Sequence, residues 1–347
     1  MKSQVGFIAI GQGGGNIGLL FEKAGYNVLY LNTSAEDLAT LEGARNVHHI
    51  KGGEGCNKDR NKAKELVEDD FDVIAEKITQ ALPEEYVFVI FTAGGGTGSG
   101  SSPMLIDLLI QYAEKKVGAV CVLPSRSEQL RTFANAYECF VELEGIEGMG
   151  ATFVLDNNTA DADKFTINSA FFDLFDSLLR VPQHRSAKGN IDIAEVKELL
   201  STRGAAIISK LPKGADGTKA LIKSFKDNIF APLEDDRVIK YIGLSAVSSI
   251  DLNAVTIETG TCLEVFQGSN PSNTVCILCG LTYPYTELGK IKEKVEENKE
   301  TLAKIMTSTR QARLERGPGL IDDMQGKRMP NAEKDISDVF AKYRKGR

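Results

Sequence analysis

Short apolar runs bounded by glycine or turn residues recur through the first half of the chain: VGFIAI, YNVLYL, EEYVFVIF, VGAVCVL and GATFVL. Between them lie stretches with helical periodicity, such as PMLIDLLIQYAEKK. A strand buried on both faces reads as a continuous apolar run, and strands alternating with helices make βα units. The pattern therefore predicts an α/β fold with a doubly wound parallel sheet. Its strands should end near Ile10, Leu31, Phe91, Leu123 and Leu155, with ligand-binding loops following at the carboxyl edge of the sheet.

From Asp163 the segment DKFTINSAFFDLFDSLLR is apolar around most of a helical circumference, which predicts a helix buried between two domains. A second set of strands is expected at GAAIISKL, IKYIGLSAV, NAVTIETGTCLEVF and TVCILCGLTY, the third showing the clearest period-two alternation. The run ELGKIKEKVEENKETLAKIMTSTRQARLER then predicts a long C-terminal helix, stopped at RGPGL. The organisation expected is a first domain over 1–162, a buried central helix over 163–189, a smaller α+β domain over 190–284, a long helix over 285–320 and a flexible basic tail over 321–347.

A length of 347 residues suits two domains, and 42% hydrophobic with 26% charged residues suits folded cores. The net charge of -7 gives the body no reason to coat nucleic acid or an anionic membrane. The tail differs: from Lys327 onward seven basic side chains face three acidic ones. The N-terminal MKSQVGFIAIGQGGGN reaches glycine before a signal-peptide core could form, and no apolar run approaches the roughly 20 residues of a membrane span. A cytoplasmic location without direct membrane contact is expected. Cys276 and Cys279 sit within TVCILCGL, with no second CxxC and no nearby histidine pair, and read as core thiols rather than zinc ligands.

Two glycine-rich loops carry the chemistry. GQGGGNIG, from Gly11 to Gly18, and GGGTGSG, from Gly94 to Gly100, each join a predicted strand to a predicted helix. Backbone N–H groups and the helix dipole hold anions at such junctions, and glycine lets a phosphate come close to the backbone. Two of them together indicate a polyphosphate. Gly95 and Gly100 have Walker spacing, but Ser101 stands where the Walker lysine belongs, which excludes a P-loop NTPase. Gly11 and Gly13 also begin a dinucleotide fingerprint, although Asn16 fills its third glycine position, so an NAD-dependent oxidoreductase stays as an alternative.

GGGTGSG is the tubulin signature, and the chain resembles the tubulin/FtsZ superfamily over nearly its whole length, most of all its TubZ-type filament proteins that segregate plasmid and phage DNA. The resemblance implies a GTPase that binds GTP or GDP with Mg²⁺, held mainly by the phosphates rather than by side chains. It places Gly11, Gln12, Gly13, Gly14 and Asn16 on the diphosphate, and Gly94, Gly95, Gly96, Thr97, Gly98 and Ser99 around the outer phosphates. The segment KGGEGCNKDR resembles the loop near the γ-phosphate, through Gly53, Glu54, Gly55 and Cys56, and LNTSAEDL brings Asn32, Thr33 and Ser34 near phosphates and metal. For the sugar it implies Pro124 and Glu128, with Thr132 where the family carries arginine. For the base it implies Asn157, Asn168 and Phe172, the last as a stacking ring.

Asn190, Asp192 and Glu195 in KGNIDIAEVKELL form an NxDxxE pattern whose carboxylates share a face at a helix start. By themselves they read as acids favoured by a helix N-terminus. The resemblance makes them the catalytic residues, inserted into the nucleotide pocket of the neighbouring subunit in a head-to-tail homopolymer. It also implies that the basic tail recruits a DNA-binding, TubR-like adaptor, so that contact with DNA is indirect. An FtsZ-like cell-division filament is the alternative within the superfamily.

Overall fold

The computed structural model describes residues 1–158, 163–184, 186, 189–215, 217–301, 303–304 and 336–344. The first half alternates β1 (Val5–Ile10), α1 (Gly11–Lys23), β2 (Val28–Asn32), α2 (Ala35–Ala39), β3 (Asn46–His49), α3 (Arg60–Asp69), α4 (Phe71–Ala81), β4 (Tyr86–Thr92), α5 (Thr97–Tyr112), β5 (Lys116–Leu123), α6 (Leu130–Glu144) and β6 (Ala151–Asp156). All six strands run parallel, in the order β3-β2-β1-β4-β5-β6. Apart from the edge strand β3, nearly every residue of these strands is buried, because helices cover both faces.

The chain continues through α7 (Lys164–Arg180), α8 (Ile193–Ser201), β7 (Gly204–Pro212), α9 (Thr218–Ser224), β8 (Tyr241–Ala246), α10 (Leu252–Thr259), β9 (Glu264–Ser269), β10 (Asn273–Leu281) and α11 (Tyr285–Glu297). The sheet is continuous into this half, in the order β6-β7-β10-β8-β9. The join is narrow: β7 meets β6 only at Ala151–Gly204 and Thr152–Ala205, then pairs along its length with antiparallel β10.

Helix α7 is pinned by aromatic packing. Phe175 lies 5.0 Å from Phe88, 5.4 Å from Phe153 and 5.8 Å from Phe7, ring centre to ring centre. Tyr26 adds a 2.7 Å hydrogen bond to Asp176. Such ring pairs contribute roughly 0.5–1.5 kcal/mol each beyond their buried area, so the second half of α7 is anchored to the sheet. In β10, Cys276 and Cys279 are fully buried, and burial pushes both thiols up, Cys279 to about 12, as befits core residues.

Two expectations need correction. NAVTIETGTCLEVF is not one strand: its first part forms α10 and its last part opens β9. Asp251 caps α10 by accepting from the N–H groups of Asn253 and Ala254, Val255 and Thr259 bury one helical face, and Gly260 at φ 109° ends it. The alternation there is a coincidence of β-branched residues on a short helix. The basic tail, expected to be flexible, carries a packed helix, α12 (Ile336–Arg344). Val339 and Tyr343 are buried, Phe340 packs edge-on against Phe71 at 5.4 Å, Lys342 pairs with Asp107 at 2.6 Å, and Arg344 pairs with Glu68. The long C-terminal helix begins as α11, turns at Asn298 and is helical again at 299–301 and 303–304; its remainder falls outside the described residues.

Candidate functional site

Strands β1 and β4 are hydrogen-bonded neighbours, so the helices that follow them start side by side. Helix α1 begins at Gly11 directly after Ile10, and α5 begins after Gly96; no side chain caps either one. Helices α2, α3, α7, α8 and α10 are capped by Ser34, Asp59, Asp163, Asp192 and Asp251, whereas α4, α6, α9 and α11 also lack a side-chain cap; what distinguishes α1 and α5 is that they start side by side on glycine loops. A helix N-terminus leaves up to four N–H groups without intrahelical partners, and adjacent dipoles add their positive ends. Two uncapped starts at one sheet edge therefore form an anion site.

A cavity of about 540 Å³ opens over these starts. Its walls include Gly11, Gln12, Gly13, Asn16, Asn32, Gly55, Gly94, Gly95, Gly96, Thr97, Gly98, Pro124, Glu128, Asn157 and Asn168, which the sequence singled out. Gly11 has φ 71°, a left-handed conformation that glycine adopts without strain. At Gly96 an added Cβ would lie 2.9 Å from both N and Cα of Lys58. Gly96→Ala should therefore force the two loops apart and lower nucleotide affinity at least about tenfold, because overpacking of this kind costs about 1–3 kcal/mol. Retention of bound nucleotide through gel filtration checks this.

One end of the cavity is lined by the carboxamides Asn157 and Asn168. The Asn157 amide donates to the Leu123 carbonyl at 3.2 Å, while its Oδ1 is buried with no hydrogen-bond partner among the described residues. A buried acceptor left unpaired is costly, and a ligand that brings N–H donors to this end of the cavity would satisfy it. At the phosphate end, Thr33 and Thr97 join hydroxyls at 2.7 Å, and the Cys56 thiol donates to Thr33 at 3.3 Å. Asn32 donates to Asp37 at 3.3 Å, and the Ser34 hydroxyl caps α2 by accepting from the Asp37 N–H.

Several expected residues lie elsewhere. An added Cβ at Gly14 would sit 2.3 Å from the Ile90 carbonyl, so that glycine serves the packing of α1 on β4. Gly53 abuts Thr33 in the same way, Glu54 points into solvent, and the Ser99 hydroxyl donates back to the Gly95 carbonyl at 2.5 Å within α5. Phe172 packs edge-on against Phe21 at 5.2 Å rather than lining the cavity. The aromatic side chain on the wall is Phe165, one turn ahead of Asn168 and 72% exposed. Its exposure beside a polar cavity leaves the ring free to cover a planar ligand, whereas in sequence an apolar residue inside a helix pattern reads equally as core.

Lys58, Lys164, Asp37 and Thr132 also line the cavity without having been assigned a part in binding. Asn135 stands behind them, and its amide donates to the carbonyls of Lys58 at 3.0 Å and Gly95 at 2.9 Å, tying two loops together. Arg60, buried, donates to the Ser99 carbonyl at 3.0 Å and pairs with Glu138 and Glu142, anchoring the start of α5 to α3 and α6.

Asn190, Asp192 and Glu195 are absent from the cavity wall. Asp192 is the N-cap of α8 and forms a capping box with Glu195: Asp192 Oδ1 accepts from the Glu195 N–H at 2.9 Å, and Glu195 Oε2 accepts from the Asp192 N–H at 2.8 Å. Asn190 and Asp192 are exposed, Glu195 half-buried.

Comparison with known proteins agrees with this geometry. The family description "Tubulin/FtsZ family, GTPase domain" matches residues 4–161, which contain the glycine loops and β1 to β6. The tubulin-like protein TubZ of Clostridium botulinum C phage is 30% identical over 362 aligned positions, covering 99% of this chain and 100% of its own. A solved structure of Clostridium botulinum phage c-st TubZ, truncated at its C-terminal tail, superposes with a TM-score of 0.78 at 30% identity, covering 86% of this chain and 99% of that one. A GTPγS-form protofilament structure of TubZ from Bacillus thuringiensis serovar israelensis shares the fold, with a TM-score of 0.74 at 19% identity over 86% of this chain and 94% of that one. With the signature loop at the head of α5, the paired helix starts and a full-length relative in agreement, the chain belongs to the tubulin/FtsZ family.

Proposed function

We propose that this protein binds and hydrolyses GTP and assembles head to tail into filaments, each hydrolytic site being completed by the next copy. The observation that carries this reading is the separation of the two halves of the chemistry. The cavity lies at the ends of β1, β4, β5 and β6. Asn190 lies against Gly268 of β9, where an added Cβ would be 2.7 Å from the Asn190 Cα. Helix α8, which carries the acids, packs at the opposite ends of these strands: Lys197 pairs with Glu85, just before β4, at 2.8 Å, and β4 spans about 23 Å, at roughly 3.3 Å per residue, from Glu85 to Thr92 on the cavity wall. One chain does not bring its acids to its own phosphates, whereas a second copy stacked on the cavity does. A contact of this heterologous kind, if it does not close into a ring, builds a filament.

In this reading the N–H groups at the starts of α1 and α5 hold the phosphates, Asn157 and Asn168 read guanine, Phe165 covers its face, and Pro124 and Glu128 border the sugar. Asp37 and Glu128 stand singly on the cavity wall, and among the described residues no group of three or more His, Cys, Asp or Glu gathers that could hold a metal. That lining would suit a Mg²⁺ held mainly by the nucleotide's phosphates, where the ion would supply charge neutralisation. Asp192 and Glu195 of the neighbouring copy orient the attacking water, a positioning role that suffices for phosphoryl transfer.

The finer reading is segregation of plasmid or phage DNA through a TubR-like adaptor. The basic C-terminal segment supports it, although Lys342 and Arg344 are engaged with Asp107 and Glu68, so the adaptor would draw on the basic residues between Lys327 and Lys334 or displace α12. No helix among the described residues is long and apolar enough to cross a membrane. Thermal denaturation and sedimentation with GTPγS, GDP and NADH test the main proposal. GTPγS should raise the melting temperature and pellet the protein; a shift with NADH and none with guanine nucleotides would favour the oxidoreductase instead.

A further inference from the structure

We propose that the C-terminal helix α12 is a brace on the signature loop: docked on its own chain it steadies the start of α5 and raises nucleotide affinity, and its release lowers that affinity. This rests on the guanine-nucleotide reading above. Helix α12 lies on α5, the helix whose first turn carries the signature loop. It grips α5 directly at Asp107, about 15 Å beyond Thr97 at roughly 1.5 Å per residue. The Asp107 side chain is 2% exposed, and its cation among the described residues is Lys342, at 2.6 Å. A carboxylate out of water is costly unless a cation pairs with it, so the site calls for one.

A second connection reaches the loop itself. Arg60, Lys64 and Glu68 are spaced one helical turn apart on α3 and share the face that looks onto α5, α6 and α12. At the loop end, the Arg60 guanidinium donates to the Ser99 carbonyl at 3.0 Å and to Glu142 at 2.6 Å. The two helices meet closely there, since an added Cβ at Gly100 would lie 2.5 Å from the Arg60 carbonyl oxygen. Glu142 also accepts from the Lys64 ammonium at 2.5 Å, so one carboxylate joins the two cations. That ammonium lies 5.3 Å from the centre of the Tyr343 ring, and at the far end Glu68 pairs with Arg344. A continuous column therefore runs from Ser99 through Arg60, Glu142 and Lys64 to Tyr343 of the tail helix.

Docking of α12 keeps this column out of water: Arg60 is 5% and Lys64 10% exposed. Shielded ion pairs are strong, whereas exposed ones are weak and screened by salt. When α12 leaves, Lys64, Glu142 and Asp107 meet solvent, their pairs weaken, and Arg60 holds the Ser99 carbonyl less firmly. Ser99 directly follows Gly96, Thr97 and Gly98, which line the cavity. A helix that is either docked or released is a two-state element, and the coupling it carries between tail and nucleotide is reciprocal.

The test uses full-length protein below the concentration at which scattering appears, so that contacts between copies play no part. Hydrogen exchange of residues 336–344 reports whether α12 is docked, and calorimetry on nucleotide-free samples gives GTPγS and GDP affinities. Lys342→Glu sets a second carboxylate against Asp107; it should free α12 and weaken both nucleotides roughly 5- to 150-fold, the usual range for coupling between two sites. Lys342→Arg, which keeps the charge, should leave docking and affinity near wild type. By reciprocity GTPγS should slow exchange of α12 in the wild type, which a merely structural contact would not show. If Lys342→Glu leaves α12 docked, Val339→Asp, which puts a charge into its buried face, is read in the same way. A freed α12 with unchanged affinities would overturn the inference, as would an α12 that stays protected in both variants or whose exchange ignores nucleotide. Wild-type protein that binds neither nucleotide overturns the guanine reading itself, a result distinct from tight wild-type binding that release of α12 leaves untouched.

Discussion

Asp192→Asn is expected to lower GTP turnover at least about 100-fold, the range typical for loss of a positioned acid–base group, with nucleotide affinity and filament assembly kept within about threefold of wild type. The choice of substitution follows from the capping box. Asp192 and Glu195 hold the start of α8 by bonding to each other's N–H groups, so alanine at either position would remove a cap worth about 1 kcal/mol as well as a carboxylate. Asparagine caps a helix about as well as aspartate, and glutamine replaces glutamate in a capping box, so Asp192→Asn and Glu195→Gln remove charge while keeping the fold. Phosphate release at saturating protein, beside nucleotide binding by the same samples, separates chemistry from assembly. Unchanged turnover in both variants would sink the assignment of these acids.

The capping box also shows that the bland and the functional readings of NIDIAE are compatible. Each carboxylate accepts from the other residue's N–H, with Asp192 exposed and Glu195 half-buried, so both are reachable by a second copy in the proposed filament. The nearby Ile193, 43% exposed, gives the same segment an apolar side chain to bury against a neighbour.

The parallel sheet was legible because strands buried on both faces leave unbroken apolar runs, and the strand ends fell within one residue of expectation at Ile10, Asn32, Thr92, Leu123 and Asp156. The glycine loops were legible for the same local reason: backbone that must approach a phosphate or another loop excludes a Cβ, as at Gly96. What local pattern did not reveal depends on tertiary placement. Phe165 and Phe172 are both apolar residues on one helix, and only the packing of Phe172 against Phe21 decides which of them faces the cavity. Lys58 and Asn135 come from separate loops and helices, and their meeting at Gly95 and Gly96 leaves no trace in spacing. A signal for α10 was present in Asp251, a helix cap followed by Asn253, but β-branched residues outweighed it. For α12, the spacing of Val339 and Tyr343 at i and i+4 marks a buried face that the count of basic residues obscured.

The central claim, that one copy holds the nucleotide's phosphates and the next supplies the acids, is tested most directly by turnover per molecule as a function of protein concentration, followed with light scattering. Because α8 packs at the start of β4 while the cavity lies at its end, about 23 Å away at roughly 3.3 Å per residue, a lone copy is expected to be nearly inactive. Turnover per molecule should rise at least about tenfold across the concentration at which scattering appears, and then level off as every cavity is covered, since losing the positioned acid–base groups alone accounts for a factor of that size or more. A turnover per molecule that stays flat from well below to well above the onset of scattering would contradict the account, because each chain would then be completing its own site.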